Sequence, residues 1–148
     1  KPLENKLNKI IAFTDTHEED SVELLSYVPH CLSGSDECKV VDELLDIKNL
    51  EIIPKNSTNG FFAIDINILN DIDNVVVVGD CTDICIYQFV VTLKAYFNEK
   101  NINKNIVVPM NLVDTYDIPF VHPGDLLNVV FFNSMIQNGV KLIKKFSL

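Results

Sequence analysis

The sequence has no tryptophan, and its 12 lysine and arginine residues are outnumbered by 21 aspartate and glutamate residues. The formal net charge of -9 argues against a nucleic-acid or anionic membrane partner, because both attract basic surfaces. The longest apolar runs, such as residues 75–78, are too short to cross a membrane, and residues 1–4 lack the apolar stretch of a signal peptide. The sequence therefore predicts a soluble cytoplasmic protein with no membrane or nucleic-acid partner.

Cysteine is also scarce. Four residues in a chain of 148, namely Cys31, Cys38, Cys81 and Cys85, are typical of reactive or buried thiols rather than of a disulfide scaffold. What the chain does have is 47% hydrophobic residues, which is enough to bury a full core. No repeat or linker interrupts it, and we expect a single domain over residues 1–148.

Short apolar runs rich in β-branched residues alternate with segments of helical period, which predicts an α/β fold with a mostly parallel sheet covered by helices. The predicted strands cover residues 10–13, 51–53, 75–78, 106–108 and 140–143. Helical periodicity predicts helices at residues 40–45, at 86–97, at 66–69 and, more fully buried, at 126–136. Residues 3–8 resemble the end of a helix.

Cys85 lies where a buried strand ends at Gly79 and a helix begins. The free amides and the dipole at a helix N-terminus favour a thiolate nucleophile and can also bind a developing oxyanion. The alternative is that Cys85 is a small buried residue between helix and sheet. Cys81 and Cys85 have the spacing of a metal pair, but no second cysteine pair with zinc spacing accompanies them.

A long irregular segment, residues 15–36, follows the first predicted strand, and long loops in compact domains often carry function. Asp15 and His17 are two apart at the strand end, and the loop could bring Glu23 and His30 back to them. Imidazoles with carboxylates suit zinc, iron or manganese. Taken singly, each histidine is more typical of a surface or cap residue than of a ligand, and it is their occurrence in one loop beside a strand-end aspartate that favours the metal site.

Lys55 follows another short strand. In a parallel α/β sheet, ligands bind outside the carboxyl ends of the strands, where Asp15, Lys55 and Cys85 would converge. A lysine in a polar loop is otherwise simply solvated.

In this order along the chain, the residues resemble the isochorismatase-like cysteine hydrolases, and among them the nicotinamidases. The resemblance spans nearly the whole chain. Its most specific part is the strand with Gly-x-x-Thr-Asp-x-Cys at residues 79–85, and Asp15-Thr16-His17 with Pro29-His30-Cys31 resembles the metal-bearing amidases of the family. The implied fold is a three-layer α/β/α sandwich with strand order 3-2-1-4-5-6.

The resemblance implies a role for each matching residue. Cys85 would attack a carboxamide to give a thioester, and Lys55 would hold the carboxylate and the thiolate of the active site. The amides of Cys81 and Cys85 would form the oxyanion hole, the first aimed by a cis peptide between Asp80 and Cys81.

The resemblance also implies one divalent metal ion, zinc first and iron or manganese as alternatives. Asp15, His17 and His30 would be ligands, with Glu23 at the position of a further ligand. The metal would receive the pyridine nitrogen of nicotinamide, and Tyr27 would lie against the pyridine ring. The family also makes a homo-oligomer possible.

Two features depart from the family pattern. The family places a general-base aspartate at the end of its first strand, in a segment Asp-x-Gln-x-Asp-Phe that this sequence does not contain. We therefore expect on the order of 30 further residues to precede the chain, carrying a strand that is central in the sheet. The second departure is at Thr58 and Asn59, where relatives often have a tyrosine and a small residue. Residues 111–122 resemble the corresponding segment of a subgroup of bacterial family members.

The leading hypothesis is thus a metal-dependent cysteine amidohydrolase converting nicotinamide to nicotinate and ammonia. The first alternative is a hydrolase of another small amide, carbamoyl or ureido compound. The second is a non-catalytic relative that serves as an interaction module. His122 is open to two interpretations, an approach to the site and a solvated loop histidine.

Overall fold

The computed structural model describes residues 7–146, in which strands and helices alternate. The strands are β1 Ile10–Asp15, β2 Leu50–Lys55, β3 Asn74–Val76, β4 Gly79–Asp80, β5 Asn105–Pro109, β6 Val113–Asp114 and β7 Lys141–Ile143. The helices are α1 Asp42–Leu45, α2 Tyr87–Glu99 and α3 Gly124–Gln137, and a π-helical turn, Thr82–Ile86, leads into α2. The five predicted strands are confirmed, and residues 66–69 form the expected helix as a 3₁₀ turn.

All pairings between these strands are parallel, so the predicted α/β class is confirmed. β1 pairs with β2, β5 lies between β3 and β7, and β4 pairs with β6. Parallel neighbours need a crossover, and the long connections between β1 and β2 and between β3 and β5 supply it.

The chain divides into two compact units, one ending at Ile64 and the other beginning at Asp65. The first contains β1, β2 and α1, and the second contains the remaining strands and both long helices. The expectation of a single domain over residues 1–148 stays a prediction.

The second unit has its core on one face of α2. Apolar residues recur at helical spacing on that face, and all are buried: Ile86, Phe89, Val90, Leu93 and Phe97. Ile106 and Val108 of β5 are also buried, and because they are two positions apart they lie on the same face of the strand. The helix predicted over residues 86–97 is confirmed in position and in its buried face.

The expectation of a more fully buried third helix is wrong. α3 buries Met135 but leaves Leu126, Val129, Val130 and Ile136 between 49% and 67% exposed. The reason is that only a narrow face of α3 contacts α2, β7 and the π-helical turn. The stripe at residues 40–45 likewise forms only the short α1, and Val41, Leu44 and Leu45 are exposed.

Within residues 7–146, the helices are too short or too polar to cross a membrane. The helix end expected at residues 3–8 lies largely outside the described residues, which begin at residue 7.

Candidate functional site

The first unit brings Asp15 and Lys55 together through strand register. The two residues are direct partners in the parallel pair of β1 and β2. Their side chains form an ion pair in which the Lys55 ammonium is 7% exposed and the Asp15 carboxylate 30%. Lys55 Nζ also donates to the carbonyl oxygen of Ser57 at 3.1 Å. The expected convergence of these two residues at the strand ends is confirmed.

Two histidines lie next to each other in the same unit. His17 is fully buried, and its ring centroid is 4.8 Å from that of His30. The backbone fixes this approach, because His17 N donates to Cys31 O at 2.9 Å and Ser33 N donates to His17 O at 2.8 Å. The Tyr27 ring is also near His30, with ring centroids 6.3 Å apart.

The histidine rings fit a metal ion in their hydrogen bonding. His30 Nδ1 lies 2.8 Å from the carbonyl oxygen of Val28, so a neutral His30 carries its proton on Nδ1 and a lone pair on Nε2. His17 Nδ1 lies 3.3 Å from Asn56 Oδ1, whereas His17 Nε2 is buried with no hydrogen-bond partner among the described residues. Metal-binding histidines commonly have this pattern, in which one nitrogen is anchored and the other is left as a ligand.

Asp15, predicted as a ligand with the two histidines, and Glu23, predicted as a further ligand, both have protein partners. Asp15 pairs with Lys55, and Glu23 accepts the Thr58 amide at 2.8 and 3.1 Å. Within the described part of the chain, no three His, Cys, Asp or Glu side chains are grouped to hold a metal. The donor set that fits a metal here is therefore the histidine pair.

Cys31 is also close to this cluster. Its pKa is raised, first by burial and then by the negative charges of Asp15, Cys38 and Glu37, while Lys55 acts in the opposite direction. Cys31 has a left-handed backbone with φ of 46°. That conformation is held by a hydrogen bond of 2.8 Å from Cys31 N to Glu37 Oε2.

The second unit contains the proposed nucleophile. Gly79 has φ of +120°, a conformation that residues with side chains rarely adopt. The peptide bond between Asp80 and Cys81 is cis, as the resemblance predicts. Cys85 follows in the π-helical turn. The amides of Ile84 and Ile86 both donate to Cys81 O, at 3.2 and 3.1 Å, which closes the turn. Sequence periodicity predicts a helical first turn here, but not its π-helical form.

The Cys81 thiol is poorly suited to act as a nucleophile. Burial raises the pKa of its thiol, although hydrogen bonds from the Thr115 side chain and the Tyr116 backbone act in the opposite direction. A raised pKa keeps Cys81 in the thiol form near neutral pH. Its part in the predicted site is confined to its backbone amide.

A polar network in the second unit involves residues to which sequence reasoning assigned no role. Asp83 accepts from Thr115 Oγ1 at 2.5 Å and pairs with His122 Nε2 at 2.9 Å. The other ring nitrogen of His122 lies 2.8 Å from Tyr116 O, and the Tyr116 ring stacks on it with centroids 3.8 Å apart. The His122 side chain is only 14% exposed, so its interpretation as a solvated loop histidine is wrong.

No family model matches the sequence. Nicotinamidase 1 of Arabidopsis thaliana is 28% identical to this chain, in an alignment that covers 93% of the chain and 66% of that relative. N-carbamoylsarcosine amidase from Thermoplasma acidophilum has a similar structure, with a TM-score of 0.78, 20% identity and coverage of 99% of this chain and 78% of that one. An isochorismatase-like hydrolase from Alkaliphilus metalliredigens has a TM-score of 0.70 at 14% identity, covering 90% of this chain and 68% of that one.

The chain has the fold of these hydrolases, and its sequence is similar to that of a plant nicotinamidase. It spans 66% of the length of the sequence relative it matches.

Some residues of these clusters stand next to positions that the sequence analysis singled out. Asp83 stands in the Gly-x-x-Thr-Asp-x-Cys segment, and Asn56 stands next to Lys55. Their positions were visible, but not their partners. Thr115 lies 32 residues from Asp83 in the sequence, in a loop without a periodic pattern, so only the fold shows that the two side chains meet.

Proposed function

We propose that this chain is an amide C–N hydrolase with Cys85 as its nucleophile. The observation that carries the proposal is the path of the backbone from β4, where Gly79 has φ of +120°, into the π-helical turn with Cys85. A nicotinamidase as sequence relative and an amidase among the structural neighbours support the same class of reaction.

In the proposed reaction, the sulfur of Cys85 attacks the carbon of a carboxamide. The C–N bond breaks, the amide nitrogen takes up the proton of the Cys85 thiol and leaves as ammonia, and a thioester remains on Cys85. Water then adds to the thioester and releases the acid and the thiol. The backbone amides of Cys81 and Cys85 would bind the oxyanion formed in both steps.

Lys55 and Asp15 would contribute fixed charges. The Lys55 ammonium is buried and held by Asp15 and by the Ser57 carbonyl, so its position changes little during a reaction. A preorganised charge of this kind stabilises negative charge that develops in a transition state more effectively than a mobile surface lysine does.

A divalent metal would be held by His17 and His30, with zinc as the first candidate and iron or manganese as alternatives. When bound, it would supply a Lewis-acid position that accepts a ring nitrogen and orients the substrate. Asp15 and Glu23 stay predictions as additional ligands.

Nicotinamide is the substrate we propose, because the sequence relative is a nicotinamidase and because Tyr27 adds an aromatic ring beside His30. An N-carbamoyl amino acid is the second candidate. It is favoured by the structural similarity to N-carbamoylsarcosine amidase and by the substitution of Thr58 and Asn59 for the residues common in relatives.

The test is ammonia release by the full-length gene product, with nicotinamide and with N-carbamoylsarcosine, before and after treatment with a chelator. Wild type should release ammonia, and Cys85→Ala should reduce the rate to the background while the circular dichroism spectrum is retained. Cys38→Ala is the matched control, because Cys38 has no proposed role, and it should keep the rate within about twofold.

Turnover that survives in Cys85→Ala would overturn the nucleophile assignment. Release from N-carbamoylsarcosine alone would replace nicotinamide by the carbamoyl substrate. No release from either compound by metal-loaded wild type would favour the non-catalytic alternative.

A further inference from the structure

We propose that Asp83 and His122 hold a proton between them and that His122 is a positioning residue for the turn that carries Cys85. The functional part of this inference rests on the proposed function, whereas the proton can be observed without any activity.

The hydrogen-bond partners of the ring fix the number of protons. His122 Nδ1 lies 2.8 Å from the carbonyl oxygen of Tyr116, which can only accept, so Nδ1 carries a proton. His122 Nε2 lies 2.9 Å from Asp83 Oδ2. A hydrogen bond there requires a second proton, either on Nε2 or on the carboxyl oxygen, so the pair holds one proton more than a neutral imidazole and a carboxylate together.

The surroundings keep this pair out of water. The side chains of Asp83 and His122 are 7% and 14% exposed. Thr115 Oγ1 donates to the second oxygen of Asp83 at 2.5 Å, and the Tyr116 ring covers one face of the imidazole at 3.8 Å. A buried carboxylate without a partner would be costly, and these contacts satisfy it.

The other ionisable groups in this part of the second unit have separate partners. Burial raises the pKa of the neighbouring Cys81 thiol, which therefore stays uncharged near neutral pH. Asp114 accepts from Thr115 N and Asn128 Nδ2, and Asp117 accepts from Gly124 N. The negative charge of Asp80 acts to raise the pKa of Cys81. Among these described groups, His122 is the ring that pairs with Asp83.

The pair joins two segments that are distant in the sequence. Asp83 belongs to the π-helical turn Thr82–Ile86, and His122 ends a loop closed by backbone hydrogen bonds with Ile118 of 2.9 and 2.8 Å. Cys85 is in the same turn, two residues after Asp83. Holding Asp83 from outside the turn therefore fixes the backbone from which the proposed nucleophile projects.

The first experiment detects the proton in the wild-type protein. Long-range proton–nitrogen NMR of histidine labelled with nitrogen-15 separates the ring nitrogens, and single His→Gln variants assign the three histidines. At pH 7.5 we expect His122 to show a protonated Nδ1 together with an Nε2 that is protonated or strongly hydrogen-bonded. In Asp83→Ala that Nε2 should change to the signal of an ordinary neutral imidazole. A free lone pair on Nε2 in wild type would overturn the proposal.

The second experiment measures positioning by hydrogen exchange of the amides in residues 81–86 and by ammonia release. His122→Ala should speed exchange in this turn and lower kcat roughly 10- to 100-fold with KM within about twofold, because a shift of the nucleophile affects the chemical step. His122→Gln keeps a donor near the Nε2 position and should recover most of both quantities. Asn138→Ala removes an exposed side-chain hydrogen bond in the same unit and should change neither.

The outcomes separate the two proposals. Absence of ammonia release in wild type refutes the proposed function, while the NMR signal and the exchange rates still decide the role of His122. If the amide exchange rates of residues 81–86 and kcat in His122→Ala equal those of the wild type, the positioning role is overturned. If His122→Ala does not fold, Asp83→Ala removes the partner of His122 and gives the same comparison of exchange rates, and a wild-type exchange rate in Asp83→Ala would overturn the positioning role too.

Discussion

At the scale of single residues, the first unit buries a lysine ammonium and supplies one carboxylate to pair with it. Lys55 and Asp15 are partners across β1 and β2. A second lysine–carboxylate pair, Lys9 with Glu51, links the same region, but its side chains are 38% and 46% exposed. The same lysine–carboxylate interaction can therefore be compared in a buried and in a solvent-exposed position.

We expect Asp15→Asn to lower the free energy of unfolding by about 3 kcal/mol, because it leaves a buried ammonium without its counter-charge. The control Glu51→Gln should cost less than about 1 kcal/mol, because water screens an exposed pair. Urea denaturation of both variants measures the difference. Equal losses in the two variants would contradict the assignment of a buried charge pair.

The cysteines differ at the same scale. Burial raises the pKa values of Cys31 and Cys81, which lowers their thiolate fractions near neutral pH. Iodoacetamide at pH 7.5 should therefore modify Cys85 before Cys81 and Cys31. Raising the pH should narrow the difference, because the thiolate fractions of Cys31 and Cys81 then increase. Peptide mass mapping over time provides the rates, and labelling of Cys81 as fast as Cys85 at pH 7.5 would argue against Cys85.

At the scale of secondary-structure elements, α3 shows how one helix can be well anchored and still expose much apolar surface. Met135 is fully buried, whereas Val129 on the same helix is 67% exposed. Burial is therefore concentrated on a narrow face. The two residues lie six positions apart, which places them on different sides of a helix.

Met135→Ala should lower the free energy of unfolding by about 3 kcal/mol, because it removes a buried side chain and leaves a cavity. Val129→Ala should change it by less than about 0.5 kcal/mol. Thermal or chemical unfolding of the two variants measures both values. A large loss for Val129→Ala would indicate that another surface covers this face of α3 in solution.

The elements were predictable where a local pattern determines them. The β-branched runs of β1, β3 and β5 and the stripe from Ile86 to Phe97 have periods that the backbone itself imposes. The burial of α3 was not predictable, because periodicity cannot tell which apolar face finds a partner. In the site, strand ends placed Asp15 and Lys55 correctly, while the pairing of Asp83 with His122 depends on a contact across 39 residues.

At the scale of the whole molecule, the chain has a formal charge of -9 and its proposed functional groups are divided between its two compact units. The histidine pair and Lys55 belong to the first, and Cys85 with the Asp83–His122 pair belongs to the second. Binding of a ligand to one unit can be measured as an increase in the free energy of unfolding of the protein.

A divalent metal bound by His17 and His30 should raise the free energy of unfolding by about 2.7 kcal/mol when its concentration is 100 times Kd. Zinc titration followed by thermal unfolding measures the rise in Tm. The rise should disappear in His17→Ala and in His30→Ala and persist in His122→Gln, which keeps the other two histidines. An unchanged rise in both of the first variants would place the metal elsewhere.

The register of β1 and β2 also has a consequence for folding, because it disfavours misaligned pairing of these two strands. Sliding one strand by a single residue would turn Lys55 to the opposite face and separate it from Asp15. The misaligned pair would then bury a lone ammonium, so incorrect alignments are penalised by charge as well as by lost apolar contacts. The residues proposed for chemistry thus also select the alignment of the strands that present them.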